Sequence, residues 1–335
     1  MNAKFEGYIN SLSKLSDNVP LKTPYGIRFS LGNTCNFKCV YCSLFKENTG
    51  IAKGYEKVKM MSLEEFLLMA DQISEFEEPI RQISFVSRGE TLLNKALPDM
   101  IKTLKSRNLA KQVKIVTNAK SLTHEMSDRL LGAGLDVLKI SLQGLNAKTY
   151  KDVCRINIDW DVFVNQIKYF YERRGTCKLQ VKIIDIALEK ADEPLFYEIF
   201  GSISDYIFIE KCSGDMKKEK DSNVNKFDFV VEGMKTCPLP FYTMTVSHNG
   251  DVTSCCMVKG TPISGLKTVI ANAYNKKLKR IWDEDFMALQ LSLLEKSTPT
   301  NLPCSNCTSF LLIEKTENCL DNDKQEIIKR YLVVK

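Results

Sequence analysis

Three thiols fall within eight residues in Cys35-Asn-Phe-Lys-Cys39-Val-Tyr-Cys42, spaced x3 and x2, shortly after the apolar run Gly26-Ile-Arg-Phe-Ser-Leu31. Thiolates this close in sequence converge only if the segment folds as a loop, and three supply one ligand fewer than a closed cuboidal iron-sulfur cluster needs. One iron would stay open to a small molecule, and a low-potential cluster can pass that molecule an electron. The competing readings are a zinc knot or three unrelated buried cysteines. Zinc takes four tetrahedral ligands, usually from two Cys-x2-Cys type pairs, and no His or further Cys lies near enough in sequence to complete this set locally.

A second sulfur set lies further on. Cys237-Pro-Leu-Pro precedes a β-rich run, Phe241 to Val246; His248-Asn-Gly-Asp251 and Cys255-Cys256 follow, and Cys304-Ser-Asn-Cys307 is a tight Cys-x2-Cys. Asn249-Gly250 between β-rich runs predicts a hairpin with a two-residue turn. That hairpin would bring Cys237 and Cys255 towards one end. Cys237, Cys255, Cys304 and Cys307 then make four soft ligands in two groups, which fit either a structural zinc or a fully ligated four-iron cluster.

Twelve cysteines and two histidines, His124 and His248, make sulfur ligation the main chemical resource and nearly exclude a Ser-His-Asp or multi-His site. With 47 basic and 41 acidic side chains the net charge of +6 is mild and dispersed, unlike a nucleic-acid footprint. Apolar content of 44% and charged content of 26% are those of an ordinary globular protein. No run of 18 apolar residues and no signal-peptide core appear, so a cytoplasmic protein without a membrane span is expected.

The elements that must position these thiols alternate. Strand-like runs are Ile27 to Leu31, Gln82 to Ser87, Gln112 to Asn118, Asp136 to Leu142, Lys178 to Ile186 and Asp205 to Glu210. Helix-period stretches lie between them: one opened by the capping box Ser62-Leu-Glu-Glu65, then Asn94 to Ser106, Thr123 to Leu131, Trp160 to Tyr171 and Glu193 to Phe200. About six strand-helix units in a row imply a parallel α/β sheet, doubly wound or a partial barrel, with its chemistry at the C-terminal strand ends. The cysteine loop, Ser87-Arg-Gly-Glu90, Asn118 and Ser141-Leu-Gln-Gly144 all fall there. Residues 1 to 25 are too short to form an independent peptide-binding domain, and residues 211 to 236 are polar and read as a linker.

Cys-x3-Cys-x-aromatic-Cys, on Cys35, Cys39, Tyr41 and Cys42, resembles the signature of the radical S-adenosylmethionine (SAM) superfamily. The resemblance implies a partial (β/α)6 TIM-like barrel over residues 26 to 210, in which the three thiolates hold a 4Fe-4S cluster whose open iron takes SAM. Ser87-Arg-Gly-Glu90 is similar to the family's Gly-Gly-Glu segment, although Arg88 replaces its first glycine. Ser141-Leu-Gln-Gly144 is similar to a Ser-x-Asp-Gly segment, with Gln143 in place of the acid. By resemblance Tyr41, Ser87, Gly89, Glu90, Asn118, Ser141, Gln143 and Arg155 contact SAM. The later cysteines resemble a small α+β twitch/SPASM-type domain, 237 to 320, holding a second 4Fe-4S auxiliary cluster, with a tail from 321 to 335. Cys154, Cys177, Cys212, Cys256 and Cys319 are left as small buried hydrophobes, or as a hydrogen-atom donor; Cys256 could also replace Cys255 as a ligand.

The resemblance implies an enzyme that cleaves SAM to a 5'-deoxyadenosyl radical and oxidises a carbohydrate-like alcohol, with a flavodoxin- or ferredoxin-type electron donor. Modification of a ribosomally made peptide is the alternative within the family. A non-catalytic zinc-binding platform is the alternative outside it.

Overall fold

The computed structural model describes residues 14–42, 57–210, 236–255, 269–296 and 319–334. After a short helix α1 (Leu15–Asn18), strands and helices alternate: β1 (Gly26–Ser30), α2 (Leu63–Ile73), β2 (Ile80–Phe85), α3 (Leu97–Ser106), β3 (Ala110–Thr117), α4 (His124–Gly132) and β4 (Val137–Leu142). The run continues through α5 (Ala147–Cys154), α6 (Trp160–Arg173), β5 (Lys178–Ile184), α7 (Glu193–Phe200) and β6 (Tyr206–Glu210). All six strands pair in parallel, in the order expected of a partial barrel.

The strand sequences dictate the two faces of this sheet. Ile27, Phe29, Ile83, Phe85, Val113, Ile115, Leu138, Ile140, Val181 and Ile183 share one core with Phe66 and Met69 of α2, Leu104 of α3, Ile167 and Phe170 of α6 and Phe196 of α7. The alternate positions are polar: Arg28, Ser84, Gln112, Lys114, Lys139, Gln180 and Lys182. Period-2 alternation therefore assigns one face to the helix layer and the other to the barrel interior.

Helix starts follow local chemistry. Ser62 and Glu65 form the anticipated capping box on α2, and the Thr123 side chain accepts from Met126 N at the start of α4. Three readings need correction. The helix anticipated from Asn94 begins only at Leu97, because Thr91–Leu93 forms a 3-10 turn and Asn94 turns its side chain to Met61 O and Ala96 N. The fifth strand stops at Ile184, where Asp185–Ala187 forms a 3-10 turn. Helix α5 was not anticipated; Asn146 caps it by accepting from Thr149 N at 2.9 Å.

The later elements continue the same sheet. Helix α8 (Leu239–Tyr242) leads into β7 (Thr243–Ser247), which pairs in parallel with β1. Strands β8 (Asp251–Thr253) and β9 (Ala271–Asn272) add antiparallel, giving nine strands in the order β6-β5-β4-β3-β2-β1-β7-β8-β9. The β7–β8 connection is not the expected two-residue turn. His248, Asn249 and Gly250 form it, with Gly250 N bonded to Ser247 O and Gly250 left-handed at φ 81°. A three-residue loop needs positive φ only at its last position, so the glycine serves there while Asn249 donates to Asp251.

Helix α9 (Leu278–Arg280) runs through a π-helical turn, Ile281–Phe286, into α10 (Met287–Lys296), and α11 (Lys324–Val334) follows. A second, smaller core gathers Leu15, Val19 and Tyr25 with Leu239, Phe241, Leu293, Leu294, Leu320, Ile327 and Tyr331. Lys14 and Ser16 both bond Asp323, so the first described residues pack on the last helix. Among the described residues no helix is long and apolar enough to cross a membrane.

Candidate active site

The cysteine loop leaves β1 and is pinned on both sides. On the β2 side, Leu31 N donates to Ser87 Oγ, Arg88 N to Ser30 Oγ at 2.9 Å, and Glu90 N to Thr34 O at 2.8 Å. Gly89 is packed so tightly that a Cβ there would lie 1.7 Å from Thr34 O. Only glycine permits that approach. On the α5 side, Lys38 N donates to Cys154 O and Val40 N to Val153 O. Phe37 is buried edge-on against Tyr150, whose hydroxyl accepts from Gln143 N.

The three thiols sit in different surroundings. Cys35 Sγ accepts from Phe37 N at 3.4 Å and lies 3.7 Å from Asn118 Nδ2, and burial pushes its pKa up to about 12. Cys39 Sγ is 3.7 Å from the buried Cys154 Sγ; this contact holds Cys39 below the usual thiol value and raises Cys154. Cys42 is half-buried, its N–H bonded to Cys39 O. Among the described residues, no three Cys, His, Asp or Glu side chains converge on a single point able to hold a metal ion. Three loop thiols, with amide donors at the Cys35 sulfur, fit a cluster.

Glu90 is fully enclosed. Its carboxylate accepts from Thr117 Oγ1, Leu92 N at 2.9 Å and Asn118 N at 2.8 Å, and burial raises its pKa against those bonds. Both oxygens are engaged in tying the end of β2 to the end of β3. Asn118 donates to Asn36 Oδ1 at 2.8 Å, so strand β3 and the cysteine loop meet through two amides. Tyr41 OH bonds Gln143 Oε1, and Gln143 Nε2 reaches Ser141 O. Ser141 lies in register with Lys182 on the interior face of β4. Arg155 is exposed and left-handed at φ 55°, at the end of α5 beside the loop's anchor.

The structure thus brings Cys35, Cys39, Tyr41, Ser87, Gly89, Glu90, Asn118 and Gln143 into one connected neighbourhood. Sequence reasoning missed Asn36, which also donates to Ser121 Oγ, and the proximity of Cys154 to Cys39. Asn36 stands inside the cysteine motif, a signal that was available. Cys154 had none, since its place depends on α5.

In the second core, Cys255 is buried and Cys237 and Cys319 pack against the same side chains. Thr236 N bonds Asp321 Oδ1, which brings the segments of Cys237 and Cys319 together. Cys304, Cys307, Cys212 and Cys256 lie outside the described residues.

Comparison with known proteins bears on both sulfur sets. Residues 29–185 match the radical SAM superfamily, and residues 237–308 match the SPASM family, described as an iron-sulfur cluster-binding domain. The chain is 32% identical over 148 residues to a probable GTP 3',8-cyclase of Sulfolobus acidocaldarius, covering 41% of this chain and 42% of that protein. It is 31% identical over 137 residues to GTP 3',8-cyclase of Desulforamulus reducens, 41% and 40% of the two chains. The matches thus span about two fifths of these relatives. Its fold is similar to SuiB of Streptococcus suis bound to S-adenosylmethionine, with a TM-score of 0.59 and 14% identity over 91% of this chain and 76% of that one. It is also similar to BtrN in complex with AdoMet and 2-DOIA, at 0.52 and 18% identity over 88% and 97%. The chain thus carries a radical SAM domain and, C-terminal to it, a SPASM domain, which imply a 4Fe-4S cluster with SAM and auxiliary iron-sulfur ligation.

Proposed function

We propose that this enzyme cleaves SAM at a cluster held by Cys35, Cys39 and Cys42 and abstracts a hydrogen atom from a carbohydrate-like alcohol, oxidising it by two electrons. When bound, the cluster with SAM supplies a 5'-deoxyadenosyl radical, and the SPASM site, on Cys237, Cys255, Cys304 and Cys307, supplies an acceptor for the second electron. The chain's own residues position and enclose. Gly89 and Glu90 hold the thiol loop against β2, Asn118 directs its amide at Asn36 and the Cys35 sulfur, and Tyr41 closes towards Gln143. Tyr41, Ser87, Gly89, Glu90, Asn118, Ser141, Gln143 and Arg155 would contact SAM. A flavodoxin- or ferredoxin-type protein would deliver the reducing electron.

The observation that carries this reading is the interior face beneath the thiol loop. Beside its charged side chains it presents hydroxyls and amides: Gln82 Nε2 donates to Gln112 Oε1, Ser84 Oγ to Gln82 Oε1, and Thr245 stands beside Arg28. Such a face suits a polyhydroxylated substrate, which needs many exchangeable hydrogen bonds. A second reading, rearrangement of a nucleotide, is favoured by the 31–32% identity to the cyclases.

Reduced, reconstituted enzyme with SAM is expected to release 5'-deoxyadenosine, and Cys39→Ala to abolish that release. Unchanged release in the variant would sink the assignment. Consumption of GTP with no oxidation of sugar alcohols would select the second reading over the first.

A further inference from the structure

Asn118, at the end of β3, has its polar atoms engaged before any ligand is considered. Its backbone N–H donates to Glu90 at 2.8 Å, and its Oδ1 accepts from Lys120 N at 3.0 Å. These two bonds fix the plane of the side-chain amide, with Nδ2 turned to the cysteine loop. There Nδ2 donates to Asn36 Oδ1 at 2.8 Å and to Cys35 Sγ at 3.7 Å, one hydrogen for each acceptor. Asn36 is braced in turn by donating to Ser121 Oγ at 3.2 Å, and left-handed backbone at Ala119, φ 63°, brings Ser121 back to the loop.

Cys35 Sγ therefore receives two N–H groups, from Phe37 N at 3.4 Å and from Asn118. The first comes with the fold of the loop, whatever side chain stands at position 37. The second depends on one side chain, and Asn118 is only 8% exposed. A thiolate that holds an iron-sulfur cluster gains negative charge when the cluster is reduced. A fixed N–H dipole at its sulfur therefore favours the reduced form, and more strongly where water is excluded.

Resting on the assignment of the first cluster to Cys35, Cys39 and Cys42, we infer that Asn118 is a positioning residue that sets the reduction potential of that cluster through its N–H···S bond to Cys35. The bond raises the potential. It makes the electron easier to accept from an external donor protein, and Asn36 and Ser121 keep the amide from rotating away. The inference concerns the polar atoms of Asn118 alone, so it stands whatever other surface of the side chain meets SAM.

Redox titration of the reconstituted holoenzyme without SAM, followed by the electron paramagnetic resonance of the reduced cluster, tests this. The signal to follow is the one that the triple variant Cys35→Ala/Cys39→Ala/Cys42→Ala lacks. Asn118→Leu keeps the bulk and removes the donor; Asn118→Asp keeps the shape and the acceptor for Lys120 N but turns an oxygen to the sulfur. Both are expected to lower the midpoint, Asn118→Asp further. At the wild-type midpoint the reduced-to-oxidised ratio of Asn118→Leu falls about tenfold, a shift of about 59 mV for one electron. A merely loosened loop would admit water, and water raises the potential by solvating the added charge, so damage to the fold moves the midpoint the other way. An unchanged or raised midpoint in either variant that keeps its iron overturns the inference. So does loss of the first cluster's iron in both, which would make Asn118 a residue that seats the loop. A signal that persists in full in the triple variant would instead reject the cluster assignment itself, and the inference with it.

Discussion

Gly89 shows how a single residue sets the site. Its missing Cβ lets Thr34 approach, and Thr34 is the last residue before Cys35. Gly89→Ala must push the loop off β2 by more than an ångström, because the clashing atoms are backbone and cannot rotate away. The expected result is a protein that keeps its helix content but loses the iron held by the first thiol set; full iron retention would show that the loop has another way to seat. Much of this neighbourhood was legible in the sequence, since glycine, cysteine and strand-end polar residues each carry a local constraint. The use of Glu90 as a clamp between β2 and β3 was not, because an acid at a strand end reads equally as a ligand contact. Its three donors, Thr117, Leu92 and Asn118, show the clamp.

At the scale of elements, the β/α alternation was readable because each core strand keeps period 2 and most helices announce an N-cap. Helix α5 escaped because its eight residues bury only Tyr150 and Cys154, too few for a periodic signal. The pairing of β7 with β1 also escaped, since register between strands more than 200 residues apart leaves no local trace. That pairing buries His248 in the β7–β8 connection, where burial first, then Lys59 and Arg88, lower its pKa from 6.5 to about 4. Above pH 6.5 the imidazole is neutral in both the folded and unfolded chain and adds no pH dependence. As pH falls from 6.5 towards 4, the unfolded chain takes up a proton that the fold refuses, so stability drops by about 1.4 kcal/mol per pH unit. His248→Gln should remove that slope: its urea midpoint relative to wild type should rise between pH 7.5 and 5.5. A difference that is constant with pH would mean that the ring is protonated in place.

For the whole molecule, one continuous sheet joins two separately built cores. The first thiol loop rests on the larger core, through Phe37 and Tyr150, while Cys237 and Cys255 rest on the smaller one with Leu15, Tyr25, Phe241 and Tyr331. Leu21 packs against both cores, and Trp282 Nε1 donates to its carbonyl at 2.6 Å, so among the described residues the two cores meet at Leu21. Loss of one set should therefore leave the other intact. After anaerobic reconstitution, the wild type is expected to hold about eight irons per chain and the triple variant Cys35→Ala/Cys39→Ala/Cys42→Ala about four, with matching acid-labile sulfide. A fall from about four irons to none, with zinc retained, would make the second set structural and remove the electron acceptor from the proposed oxidation. The substrate would then have to leave with its radical quenched by a hydrogen atom, and the outcome would be epimerisation or rearrangement instead of loss of two electrons.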